Sequence, residues 1–125
     1  NQLAAEKERT ATIAYTRFVL DTGASGDLLD LMVSLAPCVI GYAEIGCRLA
    51  PDGAAQLDSH PYKDWISQYA DDSYQQVAKS AKVQLNELAQ KYLTEARFDE
   101  VAAIFAKATQ LEADFWQMSL DQNPL

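Results

Sequence analysis

The chain has 125 residues, of which 49% are hydrophobic and 22% charged, the balance of an ordinary soluble globular domain. A net charge of −8 and an isoelectric point near 4.4 disfavour nucleic acid and anionic lipid as partners, because both require clustered Lys and Arg. No apolar run approaches the roughly 20 residues that span a bilayer, so we expect no membrane partner.

Helical periodicity continues along the chain, and no segment alternates with the period of a β-strand. The first predicted helix covers about residues 2–21 and ends at a turn containing Gly23 and Gly26. The second begins after Asp27 and ends near residue 49. It is apolar nearly all round, which is typical of the central helix of a bundle. Its clearest apolar stripe consists of Leu28, Leu31, Leu35, Cys38, Tyr42, Ile45 and Leu49.

Three further helices follow a loop that starts at Pro51 and continues through residue 59. The third begins at residues 60–61 and ends near residue 69. The fourth covers about residues 74–93 after a cap at Asp71 or Asp72, and the fifth about residues 97–120 after Thr94. The last five residues should fray. The sequence therefore predicts an all-α bundle of about five helices.

Cys38 directly follows Pro37 within the second helix. Pro37 lacks a backbone N–H and clashes with the carbonyl of Val33, so the helix should bend here. Tyr42 lies one turn later on the same face. A thiol at a bend beside a phenol is a candidate nucleophile, although a small buried apolar residue is an alternative interpretation. Cys47 lies about 13 Å further along a continuous helix, too far for a disulfide, so both thiols should be reduced in a cytoplasmic protein.

Glu112 falls on the apolar stripe of the fifth helix, three residues before Phe115 and four before Trp116. A carboxylate on a core-facing line is costly unless it is paired or hydrogen-bonded, and it is a candidate for acid–base chemistry. The alternative is a Glu at the edge of the stripe that turns to solvent.

Several tyrosines border apolar faces, including Tyr15 on the first helix and Tyr69, which shares a face with Trp65. Converging phenols could recognise a flat polar heterocycle, or they could fill the edge of the core. One His and two Cys without ligand spacing predict no metal site. No glycine-rich phosphate loop is present, and we predict no cofactor.

Together these residues resemble the TenA family, also called thiaminase II or aminopyrimidine aminohydrolase. The resemblance extends along most of the chain and depends on the order and spacing of several motifs. These are Tyr-Thr-Arg-Phe at 15–18, Gly-Asp-Leu-Leu-Asp-Leu at 26–31, Leu-Ala-Pro-Cys at 35–38, Gly-Tyr-Ala-Glu-Ile-Gly at 41–46, His-Pro-Tyr-Lys-Asp-Trp-Ile at 60–66 and Leu-Glu-Ala-Asp-Phe-Trp-Gln-Met at 111–118.

The resemblance implies a haem-oxygenase-like fold without haem. It also implies hydrolysis of thiamin, or of its aminomethyl-pyrimidine breakdown products, to hydroxymethyl-pyrimidine for salvage, by a cytoplasmic homotetramer. Cys38 would be the catalytic cysteine and Glu112 the acid–base residue. Tyr15, Tyr42 and Tyr69 would line the pocket. For this chemistry the site should favour the thiolate of Cys38.

A full domain of this family is far longer than residues 1–125. The resemblance therefore implies a single partial domain, about the C-terminal half to two-thirds, without its first helices. The absent part would carry an aspartate and stacking aromatics of the pocket. We expect the central helix to expose apolar surface and the isolated polypeptide to be inactive. The alternative function is a non-catalytic helical module that self-associates through this exposed half-core.

Overall fold

The computed structural model describes residues 7–121. These residues form five α-helices: α1 (Thr10–Ser25), α2 (Leu28–Leu49), α3 (Lys63–Ala70), α4 (Asp72–Tyr92) and α5 (Phe98–Asp121). Short 3-10 helices occupy Ala54–Leu57 and Glu95–Arg97. Residues 7–121 contain no strand, so the predicted all-α bundle is confirmed. The predicted start of the first helix and residues 122–125 of the tail lie outside the described part.

The start of α2 is fixed by a charged cluster. Asp27 Oδ1 accepts a hydrogen bond from the backbone N–H of Asp30 at 3.0 Å, and Asp30 Oδ2 accepts one from the N–H of Asp27 at 2.9 Å. This reciprocal capping box satisfies two donors of the first turn. Arg97, just before α5, donates to both carboxylates at 2.8 Å. The buried charge of Asp30 is therefore paired, and the starts of α2 and α5 are tied together.

Helix α2 is the centre of the bundle, because it packs against all four other α-helices. One core cluster joins Leu29 and Val33 of α2 to Val101 of α5. A second cluster joins Ala50, just after α2, to Leu57 and to Ile66 of α3. The helix continues through Pro37 without interruption.

By length and composition alone, α2 could cross a membrane. Its most apolar window has a mean hydropathy of 1.6, and 39% of that window is buried against the rest of the fold. The expectation that no apolar run approaches a membrane span is therefore wrong. The central helix of a soluble bundle passes the same test, and the packing of α2 on four neighbours fits that position.

The buried face of α2 differs from the predicted stripe. Leu28, Ile45 and Leu49 belong to that stripe, yet they are 55%, 40% and 49% exposed. The closest packing occurs at a small residue, Gly46, where an added Cβ would lie 2.7 Å from the carbonyl carbon of Tyr69 in α3. Because the backbones of α2 and α3 approach closely at Gly46, this face of α2 is the one that packs against α3. Large side chains on other faces of α2, such as Ile45, remain exposed to solvent.

Several helix ends also differ from the prediction. α1 continues through Gly23 to Ser25, and only Gly26 lies beyond its end. α3 begins at Lys63, two residues after Pro61. The loop before it contains the 3-10 helix Ala54–Leu57, which packs Leu57 into the core.

Two glycines of α2 provide a matched test of this packing. Gly46→Ala should destabilise the fold by about 1–3 kcal/mol, because the new methyl group would collide with the backbone of α3. Gly41→Ala, on the same helix with open space around its Cβ position, should stabilise it by about 0.5–1 kcal/mol. Chemical denaturation of both variants measures the difference, and equal effects would contradict the close approach.

Candidate active site

Tyr42 of α2 and Glu112 of α5 meet at the centre of the candidate site. The Tyr42 hydroxyl donates a hydrogen bond to Glu112 Oε1 across 70 residues of sequence. Trp116, one turn further along α5, donates its indole N–H to the Tyr42 oxygen at 3.2 Å. Glu112 is half-buried, so it points into the bundle and is not a solvent-facing edge residue.

Tyr15 of α1 brings a second phenol to Glu112. Its hydroxyl is buried and makes no hydrogen bond to any described residue. Burial raises the pKa of Tyr15, and its proximity to Glu112 and Cys38 raises it further. Burial also raises the pKa of Tyr42, and the hydrogen bond to Glu112 adds to this effect. Both phenols therefore remain protonated and can donate near neutral pH.

Cys38 lies half-buried beside this group, and its thiol donates to the carbonyl of Leu35 at 3.2 Å. Burial raises the pKa of Cys38, and the negative charge of Glu112 raises it further. The nearby hydroxyl group of Tyr15 partly opposes the increase in the Cys38 pKa. The expectation that the site favours the thiolate is therefore wrong for this arrangement, because the resting thiol is protonated.

The rings of Tyr42, Trp65 and Trp116 pack edge to face on one another. The ring centroids of Tyr42 and Trp65 are 6.1 Å apart, those of Tyr42 and Trp116 6.2 Å, and those of Trp65 and Trp116 5.8 Å. Tyr69 packs on Tyr42 at 5.1 Å and on Trp65 at 4.8 Å. Such pairs stabilise a fixed ring orientation, so Tyr42 is held from several sides.

Tyr42 and Glu112 form a wall between two cavities. On one side is a cavity of about 180 Å³ that Tyr15 also lines. On the other is an open groove of about 750 Å³ between α2 and α5, with a mainly apolar lining that includes Trp116. Cys38 lies beside the wall and lines neither of these two cavities.

Four of the five predicted site residues come together, namely Cys38, Glu112, Tyr15 and Tyr42. Tyr69 joins them only through the ring of Tyr42. The hydrogen bond from Trp116 was not predicted, although its position four residues after Glu112 placed both side chains on one face of α5. Within residues 7–121, no group of three His, Cys, Asp or Glu side chains is arranged to hold a metal ion.

Comparison with known proteins identifies the family of the chain. The sequence model of the TENA/THI-4/PQQC family matches residues 1–122. The chain belongs to this family.

The chain spans about half the length of two of its relatives and a smaller share of a third. An aminopyrimidine aminohydrolase of Halalkalibacterium halodurans is 34% identical over 122 residues, which are 97% of this chain and 53% of that protein. A thiamine biosynthesis multifunctional protein of Corynebacterium glutamicum is 31% identical over 86% of this chain and 14% of its own length. The crystal structure of a TenA family transcription regulator from Silicibacter sp. TM1040 superposes with a TM-score of 0.85 at 45% identity, over 94% of this chain and 53% of the other.

The charge of Glu112 can be tested through the Cys38 thiol. Glu112→Gln should lower the pKa of Cys38, because it removes a nearby negative charge that disfavours the thiolate. Iodoacetamide alkylation between pH 6 and 10, in a Cys47→Ser background, measures this pKa.

Asp114→Asn is the matched control, since Asp114 is an exposed carboxylate on the same helix that accepts from Gln110. It should leave the alkylation profile unchanged. Equal shifts in the two variants would show a general charge effect and contradict a local pairing of Glu112 with Cys38.

Proposed function

We propose that this chain carries the catalytic residues of an aminopyrimidine aminohydrolase of the thiaminase II type. The substrate would be thiamin or an aminomethyl-pyrimidine, the product hydroxymethyl-pyrimidine, and the setting thiamin salvage in the cytoplasm. One observation carries the proposal: three helices bring a thiol, a hydrogen-bonded carboxylate and two phenols together at Cys38, Glu112, Tyr15 and Tyr42. The name of the Halalkalibacterium relative supports the same reaction class.

The small cavity lined by Tyr15, Tyr42 and Glu112 has room for a single aromatic ring, and Cys38 lies beside it. Its volume of about 180 Å³ is close to the roughly 150 Å³ that holds a benzene molecule in a protein interior. The buried Tyr15 hydroxyl has no partner among the described residues, and such a group is costly unless a ligand or water satisfies it. A ring nitrogen would accept from this phenol, and a ring amino group would donate to Glu112. These polar contacts favour an aminopyrimidine over a hydrocarbon ring.

The raised pKa of Cys38 defines the first proton transfer. The thiol must lose its proton before it attacks, and Glu112 is the nearby base whose own charge holds that proton on sulphur. When Glu112 accepts the proton, the repulsion between the two negative groups disappears and the thiolate can exist. Glu112 then becomes the acid for the next step, as general acid–base catalysis requires.

Bond changes then balance over the cycle. The Cys38 sulphur forms a bond to a pyrimidine ring carbon while Glu112 protonates a ring nitrogen. The electrons of the broken aromatic ring expel the thiazole, or the amine from its protonated ammonium form, from the adjoining methylene carbon, and the departing group takes the electron pair of the broken bond. Water adds to that methylene carbon and loses one proton to solvent or to the departed amine. The sulphur then leaves with its electron pair as the ring nitrogen returns its proton to Glu112 and the ring regains aromaticity, and Glu112 passes this proton back to Cys38. The net reaction consumes one water molecule, and Cys38 is regenerated.

A nucleic-acid function is less consistent with the charge of the chain. The Silicibacter relative bears the name of a transcription regulator. DNA binding requires neutralisation of phosphates by clustered Lys and Arg, whereas this chain has a net charge of −8. An acidic domain with a small cavity beside Glu112 better fits a small neutral or cationic ligand.

The test combines ligand protection of Cys38 with product release. Hydroxymethyl-pyrimidine should slow the alkylation of Cys38 and leave that of the exposed Cys47 unchanged. On incubation with thiamin or aminomethyl-pyrimidine, any hydroxymethyl-pyrimidine released should fall by at least about a thousandfold in Cys38→Ser and persist in Cys47→Ser. Far-ultraviolet circular dichroism checks that both variants remain helical.

Protection of Cys38 with cysteine-dependent release supports the whole proposal. Protection without release supports the pocket and agrees with the expectation that the isolated polypeptide does not turn over. The absence of both protection and release would overturn the proposal for this chain.

The exposed face along the groove favours self-association as a second candidate function. Large apolar side chains remain exposed on both sides of the groove, among them Ile45 on α2 and Phe105, Trp116 and Leu120 on α5. A contiguous apolar patch of this kind is typical of a protein interface. We propose a second copy of the chain as its occupant, within a homo-oligomer that is a tetramer in its complete form.

Ile45→Lys tests the association, because it places a charge in the apolar groove. The variant should be monomeric in size-exclusion chromatography with light scattering, while the unmodified chain forms a larger species. Val83→Lys is the matched control on α4, since Val83 is similarly exposed and does not line the groove. A monomeric unmodified chain would contradict self-association.

A further inference from the structure

Trp116 occupies a distinctive position in the hydrogen-bonded group. It lies four residues after Glu112 on α5, and Tyr42 from α2 inserts its hydroxyl between them. The Trp116 indole N–H begins this series of two hydrogen bonds, and the Glu112 carboxylate ends it. Since both ends belong to the same helix face, α5 holds the Tyr42 oxygen at two points.

The chemistry of the indole fixes the direction of these bonds. An indole N–H donates and cannot accept, so the Tyr42 oxygen is the acceptor from Trp116. The phenolic proton of Tyr42 is then directed to Glu112 Oε1. Donation to a phenol oxygen makes its own O–H a stronger donor, so the two bonds reinforce each other. Without Trp116, the hydroxyl could rotate or accept from a protonated carboxyl group.

We infer that Trp116 is a positioning residue. Its N–H keeps the Tyr42 hydroxyl directed at Glu112 Oε1 as a hydrogen-bond donor, and the other carboxylate oxygen, Oε2, then carries the proton exchanged with substrate. This inference rests on the proposed role of Glu112 as the acid–base group. Trp116 does not line the cavity of about 180 Å³. Its influence on the reaction passes entirely through Tyr42.

Trp65 separates this role from aromatic packing. Trp65 and Trp116 contact Tyr42 with nearly the same ring geometry, at 6.1 and 6.2 Å between centroids and interplanar angles of 77° and 79°. Only Trp116 donates a hydrogen bond to Tyr42. Replacement of either Trp by Phe removes similar ring contacts, and the Trp116 variant alone removes the donated bond.

Nuclear magnetic resonance of the two indole N–H groups tests the inference without any need for turnover. In the ¹⁵N-labelled chain, the Trp116 indole signal should shift as Glu112 titrates, because the carboxylate charge is transmitted through Tyr42. The shift should disappear in Glu112→Gln and in Tyr42→Phe. Exchange of the Trp116 indole proton with D₂O should accelerate by at least about tenfold in Tyr42→Phe, since the acceptor oxygen is lost. The Trp65 signal should show neither effect.

A second readout follows the consequence at Cys38. Trp116→Phe should slow Cys38 alkylation at fixed pH by about two- to threefold, because a carboxylate less stabilised by Tyr42 acts more strongly on the thiol. Trp65→Phe should leave the rate unchanged. A Trp116 signal that ignores the titration of Glu112, or equal alkylation rates in the two Phe variants, would overturn the inference.

These outcomes remain separate from those of the proposed function. A titrating Trp116 signal in a chain that fails to protect Cys38 with hydroxymethyl-pyrimidine would support the hydrogen-bonded relay and contradict the aminopyrimidine site. Protection of Cys38 by hydroxymethyl-pyrimidine with a Trp116 signal that does not respond to Glu112 would support the aminopyrimidine site and contradict the role of Trp116.

Discussion

The salt bridges of Arg97 to Asp27 and Asp30 set the register on which the candidate site depends. They join the starts of α2 and α5, so the two helices leave the same point side by side. Tyr42 and Glu112 each lie 14 residues beyond the first residue of their helix, which is about 21 Å of helical rise. Because both helices start at the Arg97 salt bridges and rise by the same distance, the side chains of Tyr42 and Glu112 lie at the same height along the pair of helices. A shift of one residue in either helix would rotate its side chain by about 100° and separate the pair.

Electrostatics at the site follow from the same placement. Glu112 stands close to a half-buried thiol and to two phenols, and every one of these groups is harder to ionise there than in water. The site therefore holds a single negative charge most easily, on the carboxylate. Transfer of the Cys38 proton to Glu112 moves that charge to sulphur without increasing it. A low-dielectric site that resists a second charge can still support a proton exchange between two acids.

Local sequence rules predicted much of this, because they concern neighbours on one helix. The spacing of Cys38 and Tyr42, and the position of Glu112 on an apolar stripe, depend only on helical periodicity. The capping sequence at Asp27 likewise placed the start of α2 correctly. The buried face of α2 was not predictable in this way, because the backbone contact at Gly46 belongs to the packing of α3. The Trp116 bond also required the inter-helix geometry, since its acceptor lies on α2.

The two candidate functions are physically coupled through the shared wall of Tyr42 and Glu112. This wall faces a small cavity of about 180 Å³ on one side and an apolar groove of about 750 Å³ on the other. Hydrogen bonds strengthen as water is removed, so any chain that covers the groove also strengthens the Trp116–Tyr42–Glu112 series. Desolvation would at the same time raise the cost of a second charge near Cys38. Association along the groove would therefore tune the chemistry of the site as well as bury exposed apolar surface.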